Sequence, residues 1–129
     1  RCSPVITYEL QKSTNLYLSK DERSIPFWSF IILSFEQLEK RLQVIASKLN
    51  LQHSIEEDFS LIGGGSMPDV KIPSPVISID SSISGDMLNK LSSLDVPIIP
   101  RVKDNKVIFD IRSSFQNDDE KIIDALNNL

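Results

Sequence analysis

One cysteine, Cys2, one histidine, His53, and one tryptophan, Trp28, are all that the 129 residues hold of these types. A lone cysteine closes no internal disulfide, which places a reducing, cytoplasmic origin above secretion. A lone histidine without a second soft ligand does not assemble a metal centre, so no metal is expected. Long hydrophobic runs are missing as well. The longest, Phe30-Ile31-Ile32-Leu33, is far short of the roughly 20 residues needed to span a bilayer, so no membrane association is expected. Positive charge is not in excess: the net charge is −4 and the pI about 4.9, which opposes non-specific phosphate binding and assigns most of any RNA contact to another polypeptide segment. The chain opens Arg1-Cys2-Ser3-Pro4 without an initiator methionine, and reads as a cut from something longer.

What is present is ordinary globular material, with 40% hydrophobic and 25% charged residues, enough for one domain with a core. Ser3-Pro4 predicts a helix over Pro4–Leu18, with the Ser3 hydroxyl as cap and proline at the first helical position. Lys20–Ser24 reads as a charged loop, and Pro26 as the end of helical tendency before the apolar patch Phe27–Leu33. Trp28 reads as a core anchor. Ser34 and Gln37 form a capping box, Leu33 is placed to staple Leu38, and Phe35, Leu38, Leu42, Ile45 and Leu49 mark one face of a helix reaching to about Asn50.

The period then changes. His53–Ile62 and Pro75–Asp80 read as strands, and Gly63–Pro75, with three glycines and three prolines in thirteen residues, as the one long irregular loop. A short helix after Ser84-Gly85-Asp86 presents Met87, Leu88, Leu91 and Leu94 inward. Ile98–Lys103 and Lys106–Arg112 pair as a hairpin across Asp104-Asn105, two residue types that tolerate positive φ. Asn117 and Glu120 cap a last helix carrying Ile122, Ile123, Leu126 and Leu129. The predicted core is Ile77, Ile79, Leu88, Leu91, Ile98, Ile108, Ile111, Ile123 and Leu126. The fold class is α+β: a small, mostly antiparallel sheet with helices on one face, preceded by helical segments. Residues 1–50 are expected to be a helical linker region, and residues 51–129 a small α/β domain.

Four blocks resemble, in order, the carboxy-terminal part of the bacterial selenocysteine synthases, the L-seryl-tRNA(Sec) selenium transferases. They are Leu16-Tyr17-Leu18, Ile25-Pro26-Phe27-Trp28, Gly63-Gly64-Gly65-Ser66-Met67-Pro68, and the hairpin from Val96-Pro97-Ile98-Ile99 through Asp110-Ile111-Arg112. Departures are Pro100, where the family has glycine and which implies a sheet edge, and Asn105, which replaces a turn glycine. Ser3 and Pro4 stand at the family's Asp and Lys positions.

The resemblance implies the small domain of a fold-type-I enzyme dependent on pyridoxal phosphate, part of a homo-oligomer. On that cofactor seryl-tRNA(Sec) loses water, and selenium from selenophosphate adds to give selenocysteinyl-tRNA(Sec). It places the cofactor lysine upstream of Arg1, so no catalytic residue and no covalently held cofactor are expected in this chain, which is expected to be inactive alone. Arg1 inherits a role in holding the selenium donor. Gly63, Gly64, Gly65 and Ser66 are candidates for an active-site wall, since consecutive glycines let backbone N–H groups approach an anion. Arg101 and Arg112 are candidates for anionic substrate groups, or else sheet-edge ion pairs. His53 reads as a surface residue and Glu56-Glu57-Asp58 as solvated charge. The alternatives are a non-enzymatic α+β binding or interaction module, and a related pyridoxal phosphate enzyme with another substrate.

Overall fold

Proline at the first helical position opens both amino-terminal helices, because its fixed φ suits a turn whose first N–H groups have no partner anyway. The computed structural model describes residues 2–63, 67–80 and 86–129. The chain divides into two compact units, Arg1–Leu33 and Ser34–Leu129. In the first, α1 spans Pro4–Leu18, a 3-10 turn spans Glu22–Ser24, and α2 spans Pro26–Ile31. The bounds of α1 are those expected. Its cap is not, since the Ser3 side chain makes no capping bond; the Ser3 carbonyl instead accepts from the Thr7 hydroxyl at 3.2 Å. Pro26 starts a helix rather than ending one, the same fixed φ serving either outcome. No residue of α1 or α2 is fully buried. Trp28 is half-buried, not core; its Nε1 donates to the Tyr17 hydroxyl, tying α2 to the end of α1, and Phe27 meets it edge-on with ring centroids 5.3 Å apart.

The second unit begins with α3, Phe35–Ser47, whose start is held by the reciprocal capping box of Ser34 and Gln37. Leu38, Leu42, Ile45 and Ala46 are its buried stripe. The sequence boundary at residue 50 therefore differs from the division observed: α3 packs on the sheet and belongs to its core.

Two strands follow, β1 over Ser54–Gly63 and β2 over Met67–Asp80, joined in one antiparallel hairpin. Of the long irregular loop expected from Gly63 to Pro75, Gly63 and Met67–Pro75 are corrected to strand, and residues 64–66 lie outside the described residues. The sequence prior against proline in strands fails for a specific reason. Pro73 and Pro75 face Phe59 and Glu57 across the ladder, while β4 pairs with β2 only over Ile77–Asp80. Two residues apart, both proline nitrogens point to the same side, the edge that no strand occupies, so no ladder hydrogen bond is lost.

Helix α4 covers Met87–Ser92, β3 Arg101–Lys103 and β4 Lys106–Phe109; 3-10 turns at Ile111–Ser113 and Gln116–Asp118 lead into α5, Asp119–Asn127. The sheet is antiparallel with order β1-β2-β4-β3. Asp104 and Asn105 have φ of 51° and 59°, the positive values a two-residue hairpin turn requires. The hairpin is shorter than expected: Ile98 lies outside it, and Arg112 sits in the 3-10 turn. Pro100 directly precedes edge strand β3, as its missing donor implies. Asn117 does not cap α5; the helix follows a 3-10 turn with Asp118 at its start and no side-chain cap.

The core contains Ile77, Ile79, Leu91, Ile108, Ile111, Ile123 and Leu126 as expected, together with Val76, Met87, Val107 and Phe109. Leu88 is 38% exposed, because in a helix of six residues only Met87 and Leu91, one turn apart, share the inward face. Leu94 is likewise exposed and Ile98 half-buried.

Candidate functional site

Strand alternation puts Glu56, Asp58 and Ser60 of β1 on one face. Their ladder partners Val76, Ser74 and Ile72 share that face, as does Ser78, opposite Ile108 and so in line with Arg101. This face is polar. Lys106 pairs with Glu56; Lys103 Nζ lies 3.1 Å from Asp58, and Arg101 Nη2 lies 3.3 Å from both Asp58 and Asp110. Arg101 Nη1 also donates to the Phe59 carbonyl at 2.7 Å. Arg101 and Asp58 belong to the two edge strands of a four-stranded sheet. Edges three strand spacings apart lie about 14 Å from one another in a flat sheet, beyond the reach of one arginine, so the sheet is curled with this face inside.

At the root of the β1–β2 hairpin Asp110 collects donors from four segments. Its carboxylate accepts from the Ser60 hydroxyl of β1, the Ser74 hydroxyl of β2 at 2.9 Å, the Arg112 backbone N–H at 3.1 Å and Arg101 of β3. Arg112, itself buried, donates from Nη2 to the Pro73 carbonyl at 2.8 Å, on the edge of β2 that lacks a neighbouring strand. Arg101 thus makes the ion pairs considered for it, while Arg112 reaches the same Asp110 through its backbone N–H and turns its guanidinium to the Pro73 carbonyl. Glu56 and Asp58 are ion-paired rather than merely solvated.

The charges tune one another. Lys106 and then Ser54 hold Glu56 below the usual carboxylate range. Burial pushes Asp58 up, but its bond from Lys103, the Phe59 N–H and the Arg101 charge outweigh this and leave it lowered. Burial lowers the Arg112 guanidinium against the opposing pull of Asp110; an arginine remains charged nonetheless.

Gly63 pairs with Met67, and a Cβ placed on it meets nothing within 4 Å. No close approach by a described residue accounts for that glycine. Arg1, Gly64, Gly65 and Ser66 lie outside the described residues. His53 is half-buried, its Nδ1 2.8 Å from the Leu51 carbonyl. Among the described residues no three metal-ligating side chains cluster, and no helix is long and apolar enough to cross a membrane.

Two features escaped the sequence reading. Arg41 of α3 uses Nε and both terminal nitrogens on Asp119, the Ile111 and Ser114 carbonyls and the Ser114 hydroxyl. A groove of about 440 Å³ also runs along α5, lined by Leu91, Leu94, Val96, Ile98, Ile122 and Ala125 with Lys90 and Lys121 at its rim. Neither is legible locally, since both are made by residues far apart in the chain.

Fold and polar cluster together define a small α+β domain whose charged face is internally neutralised. A family model for L-seryl-tRNA selenium transferase matches residues 1–115. The chain is 34% identical over 126 residues to the L-seryl-tRNA(Sec) selenium transferase of Alkaliphilus metalliredigens, covering 91% of this chain and 27% of that protein. It is 36% identical over 127 residues to the protein of the same name from Alkaliphilus oremlandii, covering 92% and 27%. The Clostridium botulinum protein of that name is 31% identical over 129 residues, covering 93% and 28%. The chain belongs to the L-seryl-tRNA selenium transferase family. It spans about a quarter of the length of these relatives.

Proposed function

We propose that this chain is the carboxy-terminal part of a pyridoxal phosphate-dependent selenium transferase of fold type I, which converts seryl-tRNA(Sec) to selenocysteinyl-tRNA(Sec) with selenophosphate. The observation that carries the reading is the family match over residues 1–115, which runs through both helices of the first unit and the whole sheet of the second. In this reading the amino-terminal helices join the domain to a cofactor-binding domain, the enzyme is a cytoplasmic homo-oligomer, and Arg1, Gly63, Gly64, Gly65 and Ser66 lie towards its active site.

The described residues do not themselves fit pyridoxal phosphate. No lysine is buried, and Lys12, Lys48, Lys103, Lys106 and Lys121 are engaged in ion pairs. Arg101 and Arg112, the natural phosphate ligands, are turned to carboxylates and carbonyls of the domain itself. The proposal therefore assigns the cofactor to another part of a longer polypeptide, and gives Arg101 and Arg112 the task of shaping the wall rather than touching substrate.

The test compares this chain with a polypeptide of the relatives' length that carries it. The longer protein is expected to form selenocysteinyl-tRNA from seryl-tRNA(Sec), selenophosphate and pyridoxal phosphate, whereas the 129-residue chain is expected to retain no cofactor absorbance after gel filtration. Cofactor retained by this chain and lost on replacing one of its lysines would contradict the assignment. Failure of the longer protein to transfer selenium would favour another substrate or a binding module.

A further inference from the structure

The β4 ladder covers only Ile77–Asp80 of β2, so Asp58–Gly63 and Met67–Ser74 extend as a two-stranded arm beyond the four-stranded part of the sheet. A two-stranded ribbon is marginally stable alone and twists readily. Apolar packing does little to fix this one, since Phe59 is 44% and Leu61 62% exposed. The attachments present are polar: Asp58 pairs with Lys103 and Arg101, and Asp110 is bonded to side chains of both strands.

Asp110 is bonded to Ser60 on one strand of the arm and to Ser74 on the other, and it also accepts from the Arg101 guanidinium and the Arg112 backbone N–H. Those arginines in turn hold the arm's own backbone, at the Phe59 and Pro73 carbonyls. A carboxylate shared by two hydroxyls and a guanidinium is a directional joint of charge-assisted bonds, each stronger than a neutral one. We infer that Asp110 is a positioning residue for the β1–β2 arm. It bolts both strands to the β3–β4 hairpin and sets the arm's direction, and its neutralisation lets the arm move as a unit while the core stays folded. The inference rests on the geometry of the second unit and not on the proposed activity.

Electron–electron resonance distances test it on the 129-residue chain. Nitroxides are attached through Leu61→Cys on the arm and Lys40→Cys on the outer side of α3, with Cys2→Ser to keep labelling specific; all these sites are exposed. The parent is expected to give one narrow distance distribution. Asp110→Asn is expected to widen it about twofold while the far-ultraviolet circular dichroism and the protection of α3 amides stay at parental values. An unchanged narrow distribution in Asp110→Asn overturns the inference, as does widening accompanied by loss of α3 protection. If Asp110→Asn does not fold, Ser60→Ala decides, since it deletes only one donor: a widened distribution supports the joint and a parental one overturns it.

Discussion

Arg41 on α3 and Asp119 at the first position of α5, 78 residues apart in sequence, meet side-on, with Nε 3.1 and 3.0 Å from the two carboxylate oxygens. The side chains are 11% and 17% exposed, so the pair is largely withdrawn from water. Removing one member of such a pair strands the other's charge and unmakes the bonds to the Ile111 and Ser114 carbonyls as well. Arg41→Met is therefore expected to destabilise the chain by about 3 kcal/mol in urea unfolding. Arg41→Lys should recover less than half of that, since an ammonium cannot reproduce the guanidinium fork. A loss under about 0.5 kcal/mol in Arg41→Met would show the pair to be an ordinary surface contact.

Core packing separates two residues that the sequence placed together. Ile108 is 6% exposed and Leu88 38% exposed. Ile108→Ala should cost on the order of 2–5 kcal/mol, through lost burial and the cavity left behind. Leu88→Ala should stay within about 0.5 kcal/mol, as befits a surface position. Equal losses in the two variants would mean that α4 turns Leu88 as well as Leu91 towards the core.

Acid should loosen the curled sheet. Glu56 and Asp58 are both lowered from their ordinary values of 4.5 and 3.8, so the unfolded chain takes up protons at these sites more readily than the folded one. Their contribution is thus fully present above those ordinary values and is lost as the pH falls through the lower folded ones. The urea midpoint should fall as the pH drops below these ordinary values of 4.5 and 3.8, and the double variant Glu56→Gln, Asp58→Asn should show a shallower fall. A double variant as acid-sensitive as the parent would place the titrating groups elsewhere.

What could be read in the sequence was what neighbours in the chain decide. The Ser34–Gln37 capping box, the Pro4–Leu18 helix and the Asp104-Asn105 turn each depend on a few adjacent residues, and each was found where expected. The same local signal misled at Pro26, where a proline that can end one helix opens another. Pro73 and Pro75 read as loop because the unoccupied edge that tolerates them is a property of the folded sheet, set by where β4 stops. Arg41 carried no signal at all, and Asp110 only its place in the Asp110-Ile111-Arg112 block: each looks like one more surface charge until partners tens of residues away are brought to it.

The hairpin turn offers a stabilising change. Asp104 and Asn105 both adopt positive φ, which costs a side chain more than it costs glycine. Asn105→Gly should raise stability by up to about 1 kcal/mol, whereas Asn105→Val should lower it by more than that. Thermal unfolding of the three chains decides, and an order in which the valine variant is the most stable would rule out this turn geometry.

The glycine-rich segment gives the most direct link between this domain and a larger protein. Gly63 has open space where a Cβ would stand, and no described glycine has positive φ. No described residue demands glycine there, so Gly63→Ala should be tolerated and should even stabilise the isolated chain by about 0.4–1 kcal/mol, by narrowing the unfolded ensemble. In a polypeptide of the relatives' length the same change has a second readout. If a ligand or another segment approaches the Gly63 backbone there, selenium transfer should fall at least about tenfold while stability is kept, because a methyl group blocks an approach that only glycine permits. Parental activity in Gly63→Ala would remove Gly63 from the proposed active-site wall without touching the family assignment.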